Sequence, residues 1–204
     1  MVVQPLGGGD YELHEEDLLR ARFYGLLANL LSGPPGPEIL DGLRRLDGDQ
    51  TNMGQALGAL ADVAAAAAPE QVEREFTDLF IGLTEGELTP YASYYLTGFL
   101  YEKPLADLRA DMEALGLRSA EDVAEPEDHI ASLFEMMHWL ITGSLDTPAD
   151  LKTQQKFFNT HLDVWASRFF EDLEAADKAV FYRPIGTIGR TFMTIEREAF
   201  SMVE

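Results

Sequence analysis

The sequence predicts an all-α protein of about eight to ten helices, built as a single helical domain in two lobes around a hinge. Three observations support this fold class. Apolar residues recur at three- to four-residue spacing along most of the 204 residues, which is the spacing of one helix face. Glycine and proline interrupt the pattern at intervals of about one helix length. No segment alternates apolar and polar residues as a half-buried strand does, and no internal repeat is evident.

The first half of the chain predicts a tail followed by four helices. Residues 1–10 contain three consecutive glycines and are expected to form a flexible tail, so the helical domain is assigned to 11–204. The first helix has acidic residues in its first turn, and Gly33 and the prolines after it predict its end. The predicted helices are 15–33, 37–46, a longer one that ends in the alanine run 64–68, and 69–82.

The second half predicts four further helical segments, 104–117, 125–143, 147–178 and 179–203. The third of these would be the longest helix, with one apolar seam formed by Phe158, His161, Leu162, Trp165 and Phe169. The last is expected to kink at Pro184 and to be loosened by Gly186 and Gly189. The polar crossover at 116–125 is predicted to be the hinge between the two halves.

Charge sets this composition apart. The chain has 15 lysine and arginine residues against 36 aspartate and glutamate residues, a net charge of −21 with histidine neutral. Such a surface repels phosphates and anionic lipids, which argues against binding to nucleic acid or to a membrane surface. It attracts basic partners from a distance. The acidity would equally maintain solubility, and composition does not separate these two interpretations.

The chain contains no cysteine, which excludes disulfides, thiolate zinc sites, iron–sulfur ligation and cysteine nucleophiles. Its first residues lack a basic stretch followed by an apolar secretory core. No uninterrupted apolar run reaches the roughly 18 residues that a bilayer span requires. We therefore expect a cytoplasmic protein without membrane insertion.

Patterns typical of catalysis are weak. Glu135 and His138 form one Glu-x-x-His unit, but di-iron bundles need two such units and two further glutamates, so no metal site is predicted. The chain has no Gly-x-Ser-x-Gly elbow. The glycines at 7–9 are followed by Asp10 and not by the Gly-Lys-Ser/Thr ending of a phosphate loop. Nothing in these patterns argues for an enzyme or for a bound cofactor.

The segment EPEDHIASLFEMMHWLITG, residues 125–143, begins with polar residues before it turns apolar. Its polar start, residues 125–129, is called the acidic box below. As pure structure it begins a helix, because Pro126 fits the first turn and Glu127 and Asp128 complement the positive end of the helix dipole. His129 then lies on the apolar stripe. The same residues could bind a ligand, and the segment alone does not separate these two hypotheses.

A second segment, EFTDLFIGLTEGELTPYASYYL, interrupts an apolar helix with a loop that brings three tyrosines and Ser93 close together near Phe80. These side chains supply apolar area with hydroxyl groups attached. Such a surface suits a peptide groove better than a sealed core, where every hydroxyl needs a partner. A tyrosine-rich packing corner is the alternative interpretation.

Together with FFNTHLDVWASRFFEDLEAADKAVFYRPIG, these two segments resemble the TorD/DmsD family of cytoplasmic molybdoenzyme chaperones. The three blocks occur in family order, and the resemblance extends from about residue 18 to the end of the chain. The Pro-aromatic-x-Ser turn combined with Glu-Pro-x-Asp-His is its most specific part. The resemblance implies a TorD-like helical fold in two parts. It also implies binding of the twin-arginine leader of a redox enzyme, which is held back from export until the molybdenum cofactor is inserted.

The resemblance assigns peptide binding to three groups of positions: Leu79 and Phe80 in a first block, Pro90, Tyr91 and Ser93 in the turn, and Pro126, Asp128 and His129 in the acidic box. Tyr91 stands where some relatives carry tryptophan, which would alter the preference for a leader. A twin-arginine leader has two arginines before an apolar stretch, so its receptor is expected to be an apolar groove rimmed with carboxylates. Phe76, Tyr95, Glu127 and Met136 are the positions that would complete such a groove.

We therefore predict a non-enzymatic chaperone whose partners are the twin-arginine leader and the body of a molybdoenzyme, with no cofactor of its own. Guanine-nucleotide binding has been credited to the family, but no phosphate cradle is visible here and none is predicted. Two alternatives stay open: a helical enzyme that uses Asp128 and His129 as an acid–base pair, and an adaptor whose groove holds another protein's helix. The assembly is expected to be a monomer or a domain-swapped homodimer exchanging at 116–125.

Overall fold

The computed structural model describes residues 13–82, 86–118, 125–143 and 147–203. These residues form ten α-helices and one π-helical turn: α1 Glu15–Ser32, α2 Pro37–Leu43, α3 Asn52–Ala66, α4 Pro69–Phe76, the π-helical turn Thr77–Ile81, α5 Ala92–Thr97, α6 Lys103–Ala114, α7 Ile130–Thr142, α8 Leu151–His161, α9 Ala166–Ala175 and α10 Arg183–Ser201. The part of the chain that the structure describes contains no β-strand. An isolated antiparallel bridge joins Tyr91 to His129. The predicted all-α fold is confirmed.

The described residues form two compact units that are interleaved along the chain. The first unit comprises 13–32, Tyr91–Trp165 and 200–203, and the second comprises Gly33–Pro90 and Ala166–Ala199. The predicted tail 1–10 lies outside the described residues, and so do residues 119–124 of the expected hinge. The described residues on both sides of that gap belong to the first unit. The hinge stays a prediction.

In the first unit, α1 packs against α7 at close range. A Cβ atom on Gly25 would lie 3.3 Å from Nδ1 of His138, so only a glycine leaves room for the ring without displacing it. The same nitrogen donates to the carbonyl oxygen of Ala21 at 2.8 Å. The rings of Tyr24 and Phe134 lie 5.3 Å apart between the two helices. This packing fixes α7, and with it the acidic box that precedes α7.

In the second unit, Glu75 joins α4 to the start of α10. Its carboxylate accepts the backbone N–H groups of Val180 and Tyr182, both at 2.8 Å, and of Phe181 at 3.1 Å. Because α10 begins at Arg183, these N–H groups lie at the positive end of the helix, where a negative charge is favourable. A carboxylate from α4 therefore satisfies the three backbone N–H groups that lead into α10.

The predicted single helix 147–178 is wrong at its centre, because α8 ends at His161 and α9 begins at Ala166. The indole N–H of Trp165 donates to the carbonyl oxygen of His161 at 2.8 Å. In a continuous helix the backbone N–H of Trp165 would use that acceptor. All five residues of the predicted seam are nevertheless buried, with Phe169 in the second unit and the other four in the first.

The last helix also differs from its prediction. α10 runs from Arg183 to Ser201, so Pro184 lies in its first turn, where a missing N–H removes no helical hydrogen bond. It starts the helix and does not kink it. Gly189 serves close packing, since a Cβ atom there would lie 2.2 Å from the ring of Phe170. Gly186 is similar, with a Cβ atom that would lie 2.9 Å from Cγ of Glu174.

Candidate functional site

The acidic box precedes α7 and does not form its first turn. α7 begins at Ile130 with His129 as its N-cap, so the expected placement of Pro126 and of the two acids within the first turn is wrong. His129 is likewise the cap and not part of the apolar stripe. The chain after Pro90 runs against this segment, and the N–H of Ala92 donates to the carbonyl oxygen of Asp128 at 3.0 Å. The tertiary structure thus joins two of the three blocks noted in the sequence.

Asp128 caps the short helix α5. The residue is 1% exposed, and its Oδ2 accepts the backbone N–H of Ser93 at 2.8 Å and the Ser93 hydroxyl at 2.5 Å. α5 begins at Ala92, and Tyr91 at its N-cap position offers no side-chain hydrogen bond. The carboxylate from the acidic box therefore satisfies an N–H group that the helix leaves open. The other oxygen, Oδ1, is buried without a hydrogen-bond partner among the described residues.

His129 is held neutral with its proton on a defined nitrogen. The ring is 8% exposed, and Nδ1 accepts the backbone N–H of Ala131 at 3.1 Å. Burial lowers the pKa of His129 to about 4, against the opposing charges of Glu125 and Asp128. Because Nδ1 is an acceptor, the proton of the neutral ring is on Nε2. The ring meets that of Tyr91 edge-on, with centroids 5.0 Å apart.

Two glutamates of the acidic box are engaged near the surface. The hydroxyl of Tyr91 donates to Oε1 of Glu125, and burial, followed by this carboxylate, raises the pKa of the hydroxyl. Glu127 accepts from Arg109, with Oε2 at 2.9 Å from Nε and 2.8 Å from the terminal nitrogen. Arg109 on α6 was absent from the sequence-based site. It pairs with a carboxylate that was expected to face a leader arginine.

The remaining predicted site residues are divided between the two units. Phe76, Leu79, Phe80 and Pro90 lie in the second unit, and the ring of Phe80 lies 5.0 Å from Phe76 and 5.4 Å from Tyr182. In the first unit, Tyr95 is half-buried and stacks on Trp165 at 5.2 Å. Pro126 and Met136 are buried. Within the first unit the structure brings together Tyr91, Ser93, Pro126, Glu127, Asp128 and His129.

The site predicted from the sequence does not include a set of exposed apolar side chains in α5 and just beyond it. Phe99 is 69% exposed and Tyr101 is 70% exposed, and three neighbours complete the set, which we call the apolar patch: Tyr94, Leu96, Phe99, Leu100 and Tyr101. Gly98 ends α5 in a left-handed conformation with φ 84°, so the chain leaves the helix here without burying these side chains. The dense apolar run YYLTGFLY, interrupted by Gly98, was the available signal.

The described residues contain no metal-ligating cluster and no membrane-spanning helix. Within 13–82, 86–118, 125–143 and 147–203, no group of three or more His, Cys, Asp or Glu side chains is placed to hold a metal ion. Among the helices of the described chain, none has the length and apolar character needed to cross a membrane.

The fold and the site can be compared with known proteins. The family model described as nitrate reductase delta subunit matches residues 46–171, well over half of the chain. The chain belongs to the nitrate reductase delta subunit family. Curated relatives named chaperone protein TorD include that of Vibrio atlanticus, 26% identical over 200 residues that cover 88% of this chain and 93% of the relative. The protein of that name from Aliivibrio fischeri is 26% identical over 198 residues, 87% and 92% of the two chains.

A solved structure supports the fold of this family member. A protein from Archaeoglobus fulgidus assigned to redox enzyme maturation aligns with a TM-score of 0.55 and 20% sequence identity, over 93% of this chain and 99% of that one. At this identity the likeness concerns the fold alone. Together with the family match and the TorD relatives, it confirms the resemblance that the three sequence blocks indicated.

Proposed function

We propose that this chain is a maturation chaperone that binds the twin-arginine leader of a molybdenum-containing oxidoreductase and holds it for cofactor insertion before export. Relatives named chaperone protein TorD support the chaperone role. The proposal places the protein in the cytoplasm, because a leader is held there before it is exported. The observation that carries leader binding is the apolar patch beside a set of carboxylates in the first unit.

The apolar patch suits the apolar half of a leader. Large exposed apolar side chains that lie together on a soluble protein usually mark a surface that another chain covers. Phe99 and Tyr101 are more than two-thirds exposed. Burying a side chain of this size contributes roughly 1.5–3 kcal/mol. Two such contacts would supply a substantial part of micromolar affinity, which corresponds to about 8 kcal/mol.

The surroundings of the apolar patch suit the arginine half of a leader. Glu102 follows Tyr101 directly and is exposed. Asp107 on α6 is exposed as well and pairs with Lys103 at 3.3 Å, an exposed pair that a leader arginine could replace. Glu125 contacts the hydroxyl of Tyr91. The net charge of −21 would increase the rate of encounter with a doubly charged leader. Apolar contacts flanked by negative charge match the order of residues in a twin-arginine leader.

Asp128 and His129 are engaged in a way that favours a binding protein over an acid–base enzyme. Asp128 accepts from Ser93 at the start of α5, and His129 accepts from Ala131 at the start of α7. A general base must be free to take a proton from a substrate. Here Nδ1 of His129 is occupied by a backbone N–H, and Oδ2 of Asp128 by two donors from Ser93. The other oxygen of Asp128 is buried, so it is not open to a substrate from solution.

Calorimetric titration of the full chain with a synthetic leader peptide tests the proposal. We expect micromolar binding to the leader and at least a tenfold loss when Phe99→Ser and Tyr101→Ser are combined, since each removes roughly 1.5–3 kcal/mol of buried apolar area. The matched control is Val180→Ser in the second unit, an equally exposed apolar residue at 66%. It should bind the leader as the unaltered chain does.

A scrambled peptide separates this proposal from the adaptor alternative. Its composition equals that of the leader, but its two arginines are apart and its apolar residues are dispersed. Equal affinity for the scrambled and the natural leader would contradict leader recognition and favour a general helix-binding adaptor. Turnover of a small substrate by the purified chain without any client would favour the enzyme instead.

A further inference from the structure

The turn 98–102, between α5 and α6, contains a strained backbone. Tyr101 has a φ of 61°, in the left-handed region where the Cβ atom of an L-residue crowds the following carbonyl oxygen. Within the described ranges it is the one non-glycine residue with a positive φ, and for a bulky aromatic residue such a φ is an outlier. The cost corresponds to a factor of about five to thirty in an equilibrium constant. Strain of this size persists only where the fold opposes its release.

Few contacts of Tyr101 itself oppose that release. The residue is 70% exposed, and among the described residues neither its backbone nor its hydroxyl forms a hydrogen bond. Its hydroxyl lies near enough to that of Tyr91 to contribute to the raised pKa of Tyr91, so the ring leans toward the pair of Tyr91 and Glu125. This long-range effect does not fix the backbone of Tyr101.

The two ends of the turn hold it instead. Gly98 ends α5 in a left-handed conformation with φ 84°, and the Thr97 hydroxyl accepts the N–H of Phe99 at 3.2 Å. α6 begins at Lys103, so five residues must join the two helices. The closure of this short connection imposes the left-handed φ of Tyr101. Packing does not impose it, and a small displacement of the turn is enough to release it.

The same turn carries the most exposed part of the apolar patch. Phe99 is 69% exposed and Leu100 is 40% exposed, and Tyr101 follows them directly. Covering these side chains with another chain is favourable in proportion to the apolar area that is buried. A partner that packs on them supplies the contacts that the turn lacks, and φ of Tyr101 then returns to the ordinary negative region. The released strain adds to affinity, because a ligand shifts the protein toward the state that it binds better.

We infer that the turn 98–102 is a lid that closes on a chain bound at the apolar patch, and that release of the strain at Tyr101 helps to drive the closure. The inference rests on the proposed function for the identity of that chain, which is the leader. The free protein holds Tyr101 in the left-handed region, and the complex holds it at negative φ. Tyr101 is therefore a positioning residue whose backbone, separately from its ring, sets part of the affinity.

Glycine and alanine at position 101 separate the backbone from the ring. Tyr101→Gly and Tyr101→Ala both remove the ring, but only alanine is strained at positive φ. Thermal melts should therefore show Tyr101→Gly to be the more stable of the two variants. Calorimetric titration should show the opposite order for the leader, with Tyr101→Ala binding about fivefold to thirtyfold more tightly than Tyr101→Gly. A turn that kept its left-handed φ in the complex would give equal affinities.

Phe99 provides the matched control. It is as exposed as Tyr101 and lies in the same turn, but its φ is not positive. Phe99→Ala should be more stable than Phe99→Gly, because glycine loses more conformational freedom on folding. These two variants should bind the leader with equal affinity, since no strain at this position is released.

Nuclear magnetic resonance of the unaltered chain observes the release directly. A positive φ brings the amide and α protons of one residue close together, which gives a strong cross-peak between them. For Tyr101 this cross-peak should be strong in the free chain and should weaken when the leader is bound.

The lid and the proposed function fail in different ways. Leader binding with equal affinities of Tyr101→Gly and Tyr101→Ala, and with an unchanged cross-peak, would overturn the lid and leave leader binding intact. Equal affinity for the scrambled peptide, with the order of the two variants retained, would refute leader recognition and support a lid for another apolar chain. No binding of either peptide to the unaltered chain would overturn both. Lower stability of Tyr101→Gly than of Tyr101→Ala would mean that Tyr101 is not strained in the free chain, which also overturns the lid.

Discussion

Acidification should destabilise this protein through His129 well before most carboxylates titrate. Burial lowers the pKa of His129 to about 4 in the folded chain, whereas the unfolded value is about 6.5. Between these two values the unfolded state binds more protons than the folded state, so the free energy of unfolding falls as pH falls. The contribution is fully present above pH 6.5 and is lost as pH drops toward 4. At pH 5 the linkage relation gives a loss of about 2 kcal/mol relative to pH 8.

The substitution His129→Asn isolates this contribution. Asparagine is a favourable N-cap that can accept the N–H of Ala131, and it does not titrate. Thermal melts of both proteins at pH 8 and pH 5 give the comparison. The melting temperature of the unaltered chain should fall by roughly 4–8 °C more than that of His129→Asn, at 2–4 °C per kcal/mol for a chain of this size. Carboxylates and His161 contribute to both proteins, so their effects cancel in the difference.

An exposed histidine provides the control. His14→Asn makes the same exchange at an exposed histidine and should melt as the unaltered chain does. If the unaltered chain and His129→Asn lost the same stability between pH 8 and pH 5, His129 would not be a buried neutral cap. The tautomer assigned to it, with the proton on Nε2, would then be wrong as well.

Three further outcomes follow from the contacts of the two units. Glu75→Ala leaves three backbone N–H groups without their acceptor and should lower the free energy of unfolding, measured by urea denaturation, by about 2–4 kcal/mol. Glu73→Ala on the same helix should change it by less than about 0.5 kcal/mol. Equal values for the two variants would contradict the role assigned to Glu75. Ser93→Ala removes the hydroxyl that donates to Asp128 and should lower the free energy of unfolding by about 1.5–3 kcal/mol. Ser132→Ala is the control. A neutral effect of Ser93→Ala would show that Asp128 does not depend on this hydroxyl. Leader affinity should fall as salt shortens the Debye length from about 30 Å to 3 Å, but it should not vanish. A salt-independent affinity would show that electrostatic attraction does not contribute to binding. Complete loss of binding at high salt would show that the apolar contact does not contribute.

Much of the fold was predictable because it is encoded locally. The 3.6-residue period and its interruptions by glycine and proline located most helices to within a few residues. Gly116, near the end of the predicted helix 104–117, follows α6 with a left-handed φ of 72°. The exceptions are places where a side chain takes over a backbone hydrogen bond. Between α8 and α9 the indole N–H of Trp165 donates to the carbonyl oxygen of His161, and the spacing of apolar residues does not reveal this contact.

The candidate site was predictable only as a set of segments. Blocks in the sequence singled out the tyrosine-rich turn and the acidic box, and the structure joins Tyr91, Ser93, Asp128 and His129 within one unit. Their roles were not predictable in the same way. Asp128 was expected to support the helix that follows it, and it caps α5 instead. The apolar patch was missed because periodicity shows that a residue is apolar without showing whether another element covers it.

The sequence by itself determined the helical class, the strong negative charge and the family resemblance, since each depends on composition, local period or the order of short blocks. The tertiary structure alone decided which backbone N–H groups each of these carboxylates accepts. Ser93 and Asp128 are 35 positions apart, and Glu75 and Val180 are 105 apart. An acceptor that comes from so far along the chain depends on how helices pack, and a stretch of sequence of one helix length does not specify that packing.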